Sequence, residues 1–226
     1  MIAHKNHCVK QKYMVKYNPN KNFLSWVIVI LGVYIMYKFF AFLNRMKYIK
    51  RWSLMRSIRE ENIMEHSQQV AVIAHALALI NNKIYGGNID VNKVVLLAQY
   101  HEVGEVITGD LPTPIKYFNP EIKSAYKDLE KNACEKILGM LPETLMPEYK
   151  EYIIPDENTE EYKLVKCADR LSAYLKCVEE IKAGNSEFKK AKTSIGNELK
   201  SLKRVEVDYY LKEFAPAYDL TLDELD

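Results

Sequence analysis

Glycine and proline are scarce in this chain of 226 residues, with eight of each. Such a composition excludes collagen-like and low-complexity chains, and it favours long helices over a β fold rich in turns. Cysteine is also sparse, and the four cysteines, Cys8, Cys134, Cys167 and Cys177, include no C-x-x-C pair. Neither a zinc ribbon nor a disulfide scaffold is indicated, so we expect a reduced, intracellular setting for the folded part.

Acidic residues are absent from the first 59 positions, which carry 12 lysines and arginines before Glu60. The other 167 residues carry 20 basic and 30 acidic residues, a formal charge of −10. Because a body with that charge lacks the basic face that neutralises a nucleic-acid backbone, we expect no nucleic-acid polymer as a partner. The length suits one domain of ~100–200 residues plus an appendage.

Residues 1–35 form a basic and hydrophobic N-terminal extension that has two interpretations. The stretch 23–43, interrupted by a single lysine, has the ~20 residues that a transmembrane helix needs. The basic residues that follow it would then place the membrane-anchored domain in the cytoplasm. Alternatively, Phe39–Leu43 belong to the first helix of a cytoplasmic domain at 36–226. The apolar stretch that remains is then too short to span, or the protein starts at Met36 and the preceding segment is an artefact of start-site choice.

Helical spacing of apolar residues dominates the chain after Asn44, and no run predicts a strand. Asn62 is the predicted N-cap of a helix that ends near Asn81–Asn82. Asp90 predicts the cap of a second helix that continues to Gly109. Further helices are expected at about 121–139, 159–183 and 187–213, with a loop in the proline-rich segment DLPTPIKYFNP. The predicted fold class is all-α.

Four polar side chains interrupt these apolar helices: His66, His101, Glu102 and Asp169. Burying a lone carboxylate costs several kcal/mol unless a charge or a metal compensates it. Two imidazoles with carboxylates suit a borderline divalent ion that keeps room for water. Each residue also has an ordinary interpretation, as a helix-end histidine, a core histidine or a salt-bridged carboxylate, and spacing alone does not decide between them.

These four residues lie in three longer segments, REENIMEHSQQVA (59–71), YHEVGEVITGDLPTPIKYF (100–118) and VKCADRLSAYLKC (165–177), and a fourth segment, RWSLMR (51–56), precedes them. These segments resemble the HD-domain phosphohydrolases, and most closely their 5'-deoxynucleotidase branch. The resemblance begins at about Met36 and does not include 1–35. It implies an HD-domain helical bundle, hydrolysis of deoxyribonucleoside 5'-monophosphates, a divalent ion such as Co²⁺ or Mn²⁺, and a homodimer.

The resemblance also implies a set of metal ligands, which are His66, His101, Glu102 and Asp169. The family has aspartate where this chain has Glu102. The extra methylene moves the carboxylate by roughly 1.5 Å, whereas metal–ligand distances tolerate about ±0.2 Å. Glu102 therefore ligates the ion directly, ligates it through a water, or marks a degenerate site.

Roles in substrate binding and catalysis follow from the same matched positions. Arg51 matches the arginine that orients the phosphate, and Glu105 matches the carboxylate that positions or activates water. Trp52 matches the residue beside the sugar's 2' carbon, where an indole leaves no room for a hydroxyl. Asp110 matches the acceptor for the 3'-hydroxyl. The implied substrate-binding residues are Arg51, Trp52, His66, Glu102, Asp110, Leu111, Pro112 and Thr113.

Three other functions compete with this interpretation. A non-catalytic module that senses nucleotides, with or without a membrane tether, is favoured by Glu102. A hydrolase of another substrate, such as a cyclic-nucleotide or alarmone phosphodiesterase, is disfavoured by the Arg51–Trp52 pair and the GDLPTP loop, which suit a small monophosphate. A helical scaffold would leave Asp169 and the His101–Glu102 pair without a purpose.

Overall fold

The computed structural model describes residues 36–116 and 118–226, and Tyr37–Asp226 pack as one unit. Its α-helices are α1 (Phe39–Leu43), α2 (Ile63–Ile84), α3 (Val91–Tyr100), α4 (Glu105–Thr108), α5 (Thr113–Lys116), α6 (Pro120–Leu138), α7 (Met146–Ile153), α8 (Glu160–Lys182), α9 (Lys189–Ser201) and α10 (Val205–Glu213). Short 3-10 helices lie at Asn44–Tyr48, Ser186–Phe188, Ala215–Asp219 and Leu222–Glu224. Within the described ranges the one β pairing is an isolated bridge between Lys50 and Asn62. The all-α prediction is confirmed.

The extension at 1–35 lies outside the described residues, and so does most of the predicted span at 23–43. The end of that span is α1, whose Phe39 is fully buried. The Phe39 ring lies 5.1 Å from the ring of Tyr149, so α1 packs against α7. Among the helices that the structure describes, none is long and apolar enough to cross a membrane.

Two hydrophobic clusters hold the helices together. The larger one joins α2, α3 and α8, and its fully buried members include Leu77, Val94 and Leu171. Burying each such side chain stabilises the fold by roughly 1.5–3 kcal/mol. The smaller cluster joins the N-terminal segment to α6 and α7 through residues such as Ile63 and Ile137. The helices that carry His66 and Asp169 therefore lie side by side in the larger core.

The predicted N-caps of α2 and α3 are confirmed, but α2 ends later than predicted. The Asn62 side chain accepts hydrogen bonds from two backbone N–H groups of the first turn of α2, and the Asp90 side chain accepts one, from the N–H of Lys93 in α3. The helix α2 continues past Asn81–Asn82 to Ile84. Asn82 does not end it, because its side chain exchanges two hydrogen bonds, of 2.8 and 2.7 Å, with the backbone of Ile89.

Two predicted helices are each broken into two. The helix expected from Asp90 to Gly109 ends at Tyr100, and tight turns such as Glu105 N–H to the carbonyl of Glu102 precede α4. The helix expected at 187–213 is interrupted at Lys203, which adopts a left-handed φ of 52°. The apolar spacing indicated neither break.

The remaining helices differ less from expectation. α6 and α8 begin and end within one residue of the predicted bounds. α7 was not predicted, although Pro147 in its first turn and Pro155 beyond its end are typical helix boundaries. Within the described residues of the proline-rich segment at 110–120, one helical turn, α5, forms at Thr113–Lys116, and Pro120 begins α6.

Candidate active site

Four side chains from three parts of the fold converge in the interior. His66 comes from α2, His101 and Glu102 from the turn after α3, and Asp169 from α8. One nitrogen or oxygen atom from each lies within 4.8 Å of the others. His66 Nε2 is 3.1 Å from Asp169 Oδ1, and His101 Nε2 is 3.0 Å from Glu102 Oε1. Bonds of about 2.0–2.2 Å place two ligands of one ion up to ~4.4 Å apart, so this spread is close to that of a single coordination sphere.

Hydrogen bonds hold both histidines in the tautomer that binds metals. His101 Nδ1 lies 2.7 Å from the carbonyl oxygen of Ala98, which can only accept, so Nδ1 carries the proton. His66 Nδ1 lies 3.3 Å from Ser172 Oγ, whose own hydroxyl donates to Gln69 Oε1 at 2.8 Å. Each ring turns its Nε2 towards a carboxylate oxygen, His66 towards Asp169 and His101 towards Glu102, and these four groups could hold a cation between them. His101 Nε2 is buried without a hydrogen-bond partner among the described residues.

The charges of the cluster fit the same conclusion. Burial lowers the pKa of His66, as does the nearby guanidinium of Arg51, so this imidazole is neutral. Burial would raise the pKa of Asp169, but Lys166, whose Nζ is 3.5 Å away, and His66 hold it well below its usual value. The pKa of Glu102 is also held well below its usual value, against burial, by His101 and Arg51. Two carboxylates and two imidazoles are a donor set for a divalent cation.

Glu105 is a buried carboxyl beside this set. Burial and the neighbouring Glu102 and Asp110 carboxylates raise the pKa of Glu105 to about 11. Its Oε2 atom is buried without a hydrogen-bond partner among the described residues. A divalent cation next to Glu102 would oppose that shift, because it offsets the negative charge that raises the pKa.

Arg51 and Trp52 reach the cluster from the segment before α2. Arg51 Nη1 lies 3.9 Å from Glu102 Oε1, and Arg51 Nε lies 3.3 Å from Glu61 Oε2. Trp52 Nε1 donates to the same Glu61 oxygen at 3.0 Å, and the indole lies 5.3 Å from the ring of Phe188. Trp52 has a φ of 58°, a left-handed conformation that costs a bulky residue about 1–2 kcal/mol. The surrounding contacts must offset that cost.

Two cavities are lined by residues of this region. One, of about 340 Å³, is lined by five of the predicted substrate-binding residues and by apolar side chains of α8 and α9. The five are Arg51, Trp52, Asp110, Pro112 and Thr113. Leu111 lies between two of them but outside this lining. The other cavity, of about 590 Å³, is lined by His101, Glu102 and Glu105 together with lysines such as Lys116 and Lys166. The smaller volume lies within the range of small-molecule sites.

A comparison with models of protein families shows to which family this chain belongs. The model of the family described as "5'-deoxynucleotidase YfbR-like" matches residues 38–218. This chain belongs to the YfbR-like 5'-deoxynucleotidase family. The matched range covers nearly all of the described residues and leaves out 1–35.

Individual relatives of this YfbR-like chain agree with that assignment. It is 52% identical over 188 residues to the 5'-deoxynucleotidase VV1113 of Vibrio vulnificus, which covers 83% of this chain and 97% of that protein. An HD-domain phosphohydrolase from Listeria innocua superposes with a TM-score of 0.70 at 23% identity, over 80% and 88% of the two chains. The cyanophage S-2L HD phosphohydrolase DatZ, solved with dA and one catalytic Zn²⁺, gives a TM-score of 0.58 at 21% identity, over 80% and 96%. The predicted HD-domain fold is confirmed.

Sequence reasoning missed several residues that support the site of this YfbR-like protein. Ser172 and Lys166 follow and precede Asp169 by three positions on α8, so helical spacing would have placed both beside it. Gln69 has the same relation to His66 on α2. Glu61 had no such signal, because it precedes a helix cap and resembles a surface carboxylate.

Proposed function

We propose that this chain hydrolyses deoxyribonucleoside 5'-monophosphates to the deoxynucleoside and inorganic phosphate, with a divalent cation held by His66, His101, Glu102 and Asp169. One observation carries the proposal beyond family membership. Both histidines turn Nε2 towards a carboxylate oxygen, at 3.1 Å for His66 and 3.0 Å for His101, and Arg51 lies within 4 Å of that set. A buried anionic cluster beside a cationic fork suits a phosphate monoester and its metal.

Each residue around the phosphate would have a distinct task. A bound divalent cation supplies Lewis-acid polarisation of a phosphate oxygen and a water of lowered pKa. Arg51, which pairs with Glu61 and Glu102 here, would offset charge that develops on the phosphoryl oxygens. Glu105 would position the attacking water through its free Oε2 and take up or return the proton at that atom.

The smaller cavity would hold the deoxynucleoside. The Trp52 indole would occupy the space that a ribose 2'-hydroxyl needs, so that selection works by steric rejection. Asp110, at the mouth of the same cavity, would accept a hydrogen bond from the 3'-hydroxyl. Leu111, Pro112 and Thr113 would complete that wall.

The donor set also bears on the metal. Two imidazole nitrogens with two carboxylate oxygens suit first-row ions better than Ca²⁺ or Mg²⁺, which prefer oxygen alone. Co²⁺ or Mn²⁺ is therefore the proposed ion. The homodimer that the resemblance implies is proposed as the assembly, and sedimentation equilibrium of the full chain measures it.

Phosphate release from dAMP and AMP, with EDTA, Co²⁺ or Mn²⁺, tests the proposal directly. We expect turnover of dAMP only with added metal, and much slower turnover of AMP. Calorimetric binding of dAMP without turnover in any metal would contradict it. In that case Glu102→Asp separates two explanations: recovered turnover identifies a site weakened by glutamate, and unchanged inactivity identifies a nucleotide sensor.

A further inference from the structure

We infer that Glu61 is the positioning residue through which this enzyme selects deoxyribose over ribose. It touches neither the substrate nor the reacting atoms in the mechanism above, and it acts through Trp52 and Arg51. The inference rests on the proposed function for the identity of the sugar, and it concerns a carboxylate to which that function gives no task of its own.

The carboxylate of Glu61 joins three residues of the site. Oε2 accepts from Trp52 Nε1 at 3.0 Å and from Arg51 Nε at 3.3 Å, while Oε1 lies 3.8 Å from His66 Nδ1. The backbone carbonyl of Glu61 also accepts from the N–H of Arg51 at 2.9 Å. The side chain is 11% exposed. A hydrogen bond to a carboxylate shielded from water in this way holds its donor more firmly than an exposed one does.

Trp52 depends on this carboxylate because its backbone is strained. A φ of 58° is unfavourable for a side chain as large as tryptophan. The indole is held by its ring contact with Phe188 and by the single hydrogen bond that Nε1 can donate, which goes to Glu61. Without that acceptor the indole can rotate away from the position that blocks a 2'-hydroxyl.

A second carboxylate, that of Glu180, holds the part of the same segment that precedes Glu61. The loss of the Glu61 carboxylate should therefore affect only the side chains that Glu61 contacts. Glu180 of α8 accepts from the backbone N–H of Ile58 at 2.8 Å and of Arg59 at 3.3 Å. The backbone from Arg51 to Asn62 therefore stays attached to α8 when Glu61 is changed. Loss of the Glu61 carboxylate should release the two side chains rather than unfold the segment.

The kinetic test separates the two side chains that Glu61 holds. Release of Arg51 slows hydrolysis of dAMP and AMP by the same factor, whereas release of Trp52 helps AMP alone. We expect Glu61→Ala to lower the ratio of kcat/KM for dAMP over AMP at least tenfold, and Glu61→Gln, which keeps an acceptor oxygen, to lower it less. The matched control is Glu60→Ala, since Glu60 is exposed and pairs with Lys50 at 2.6 Å; it should keep the wild-type ratio.

A binding measurement tests the role of Glu61 separately from the proposed hydrolysis. Calorimetric Kd values for dAMP and AMP, with Co²⁺ present, give the same selectivity without turnover. A wild-type ratio in folded Glu61→Ala protein overturns the inference, even if the wild type hydrolyses dAMP, and so does a ratio in Glu61→Gln that falls as far as in Glu61→Ala. A wild type that prefers dAMP in binding but releases no phosphate overturns the reaction alone, and the binding ratio of the variants then decides the role of Glu61.

Discussion

The metal-ligand cluster and the segment at 49–62 are built in opposite ways. The cluster stands on α2, α8 and the end of α3, whose shared core is almost completely buried. The segment has one isolated β bridge, and its position depends on hydrogen bonds to Glu61 and Glu180. Packed helices place side chains through many small contacts, whereas a loop is placed by a few strong ones. We therefore expect changes in the cluster to affect the rate, and changes around the segment to affect selectivity and stability.

Asp169→Asn tests the cluster with the largest expected effect. The amide keeps the shape of the side chain but removes the charge that a cation requires. Loss of one ligand costs several kcal/mol of transition-state stabilisation, so turnover of dAMP should fall at least ~10³-fold. Phosphate release and the bound metal per chain, measured by mass spectrometry, check this together. Glu179→Gln on the exposed face of α8 is the matched control, and undiminished turnover in Asp169→Asn would show that Asp169 is no ligand.

Two substitutions of Glu102 test whether the metal-ligand cluster needs the charge of this side chain or its length. Glu102→Gln removes the anion that lies beside His101 and Arg51, and we expect turnover to fall about 10²-fold, roughly 2.7 kcal/mol. Glu102→Asp keeps the charge and shortens the side chain to that of the family pattern, so its turnover should stay within about tenfold of the wild type. Steady-state kinetics across a Co²⁺ titration measures both. Equal losses in the two variants would mean that length matters as much as charge.

The same contrast explains which features the sequence predicts. The all-α class and the Asn62 and Asp90 caps depend on local periodicity and on capping residues, which a sequence contains. The set of four side chains follows from the resemblance of their motifs to a known family. The break after Tyr100 is different. His101 bonds the carbonyl of Ala98 and tight turns follow, and nothing in the apolar spacing distinguishes this from a continuous helix.

Glu61 shows why supporting residues escape such prediction. Its contacts depend on the left-handed backbone at Trp52 and on the path of a segment that has no regular structure. Neither property follows from the neighbouring residues. The role of each side chain as a metal ligand or substrate contact stays a prediction, because the structure gives positions and the roles need kinetics.

Glu180→Gln tests whether the segment at 49–62 depends on a few strong hydrogen bonds, and the measurement is the pH dependence of stability. Burial alone would raise the pKa of Glu180, but hydrogen bonds from Ile58, Lys176 and Asn185 lower it to about 2. A lowered pKa stabilises the fold above the unfolded value near 4.5, and this contribution, about 3 kcal/mol, disappears as the pH falls towards 2. The difference in free energy of unfolding between wild type and Glu180→Gln should thus be largest at pH 7 and shrink below pH 4.5. Urea unfolding at several pH values measures it, and a constant difference would refute the argument.

Asn62→Ala has the smallest expected effect and tests where the two regions join, since Asn62 ends the segment and begins α2. Its side chain accepts hydrogen bonds of 3.0 Å from the N–H groups of Met64 and Glu65. Loss of an N-cap costs about 1 kcal/mol of stability. Asn119→Ala removes the N-cap of another helix, α6, where the side chain accepts from the N–H of Ile122, and should cost about as much in urea unfolding. Because His66 lies one turn after Asn62, only Asn62→Ala should also slow turnover; equal turnover in the two variants would mean that helix packing alone places His66.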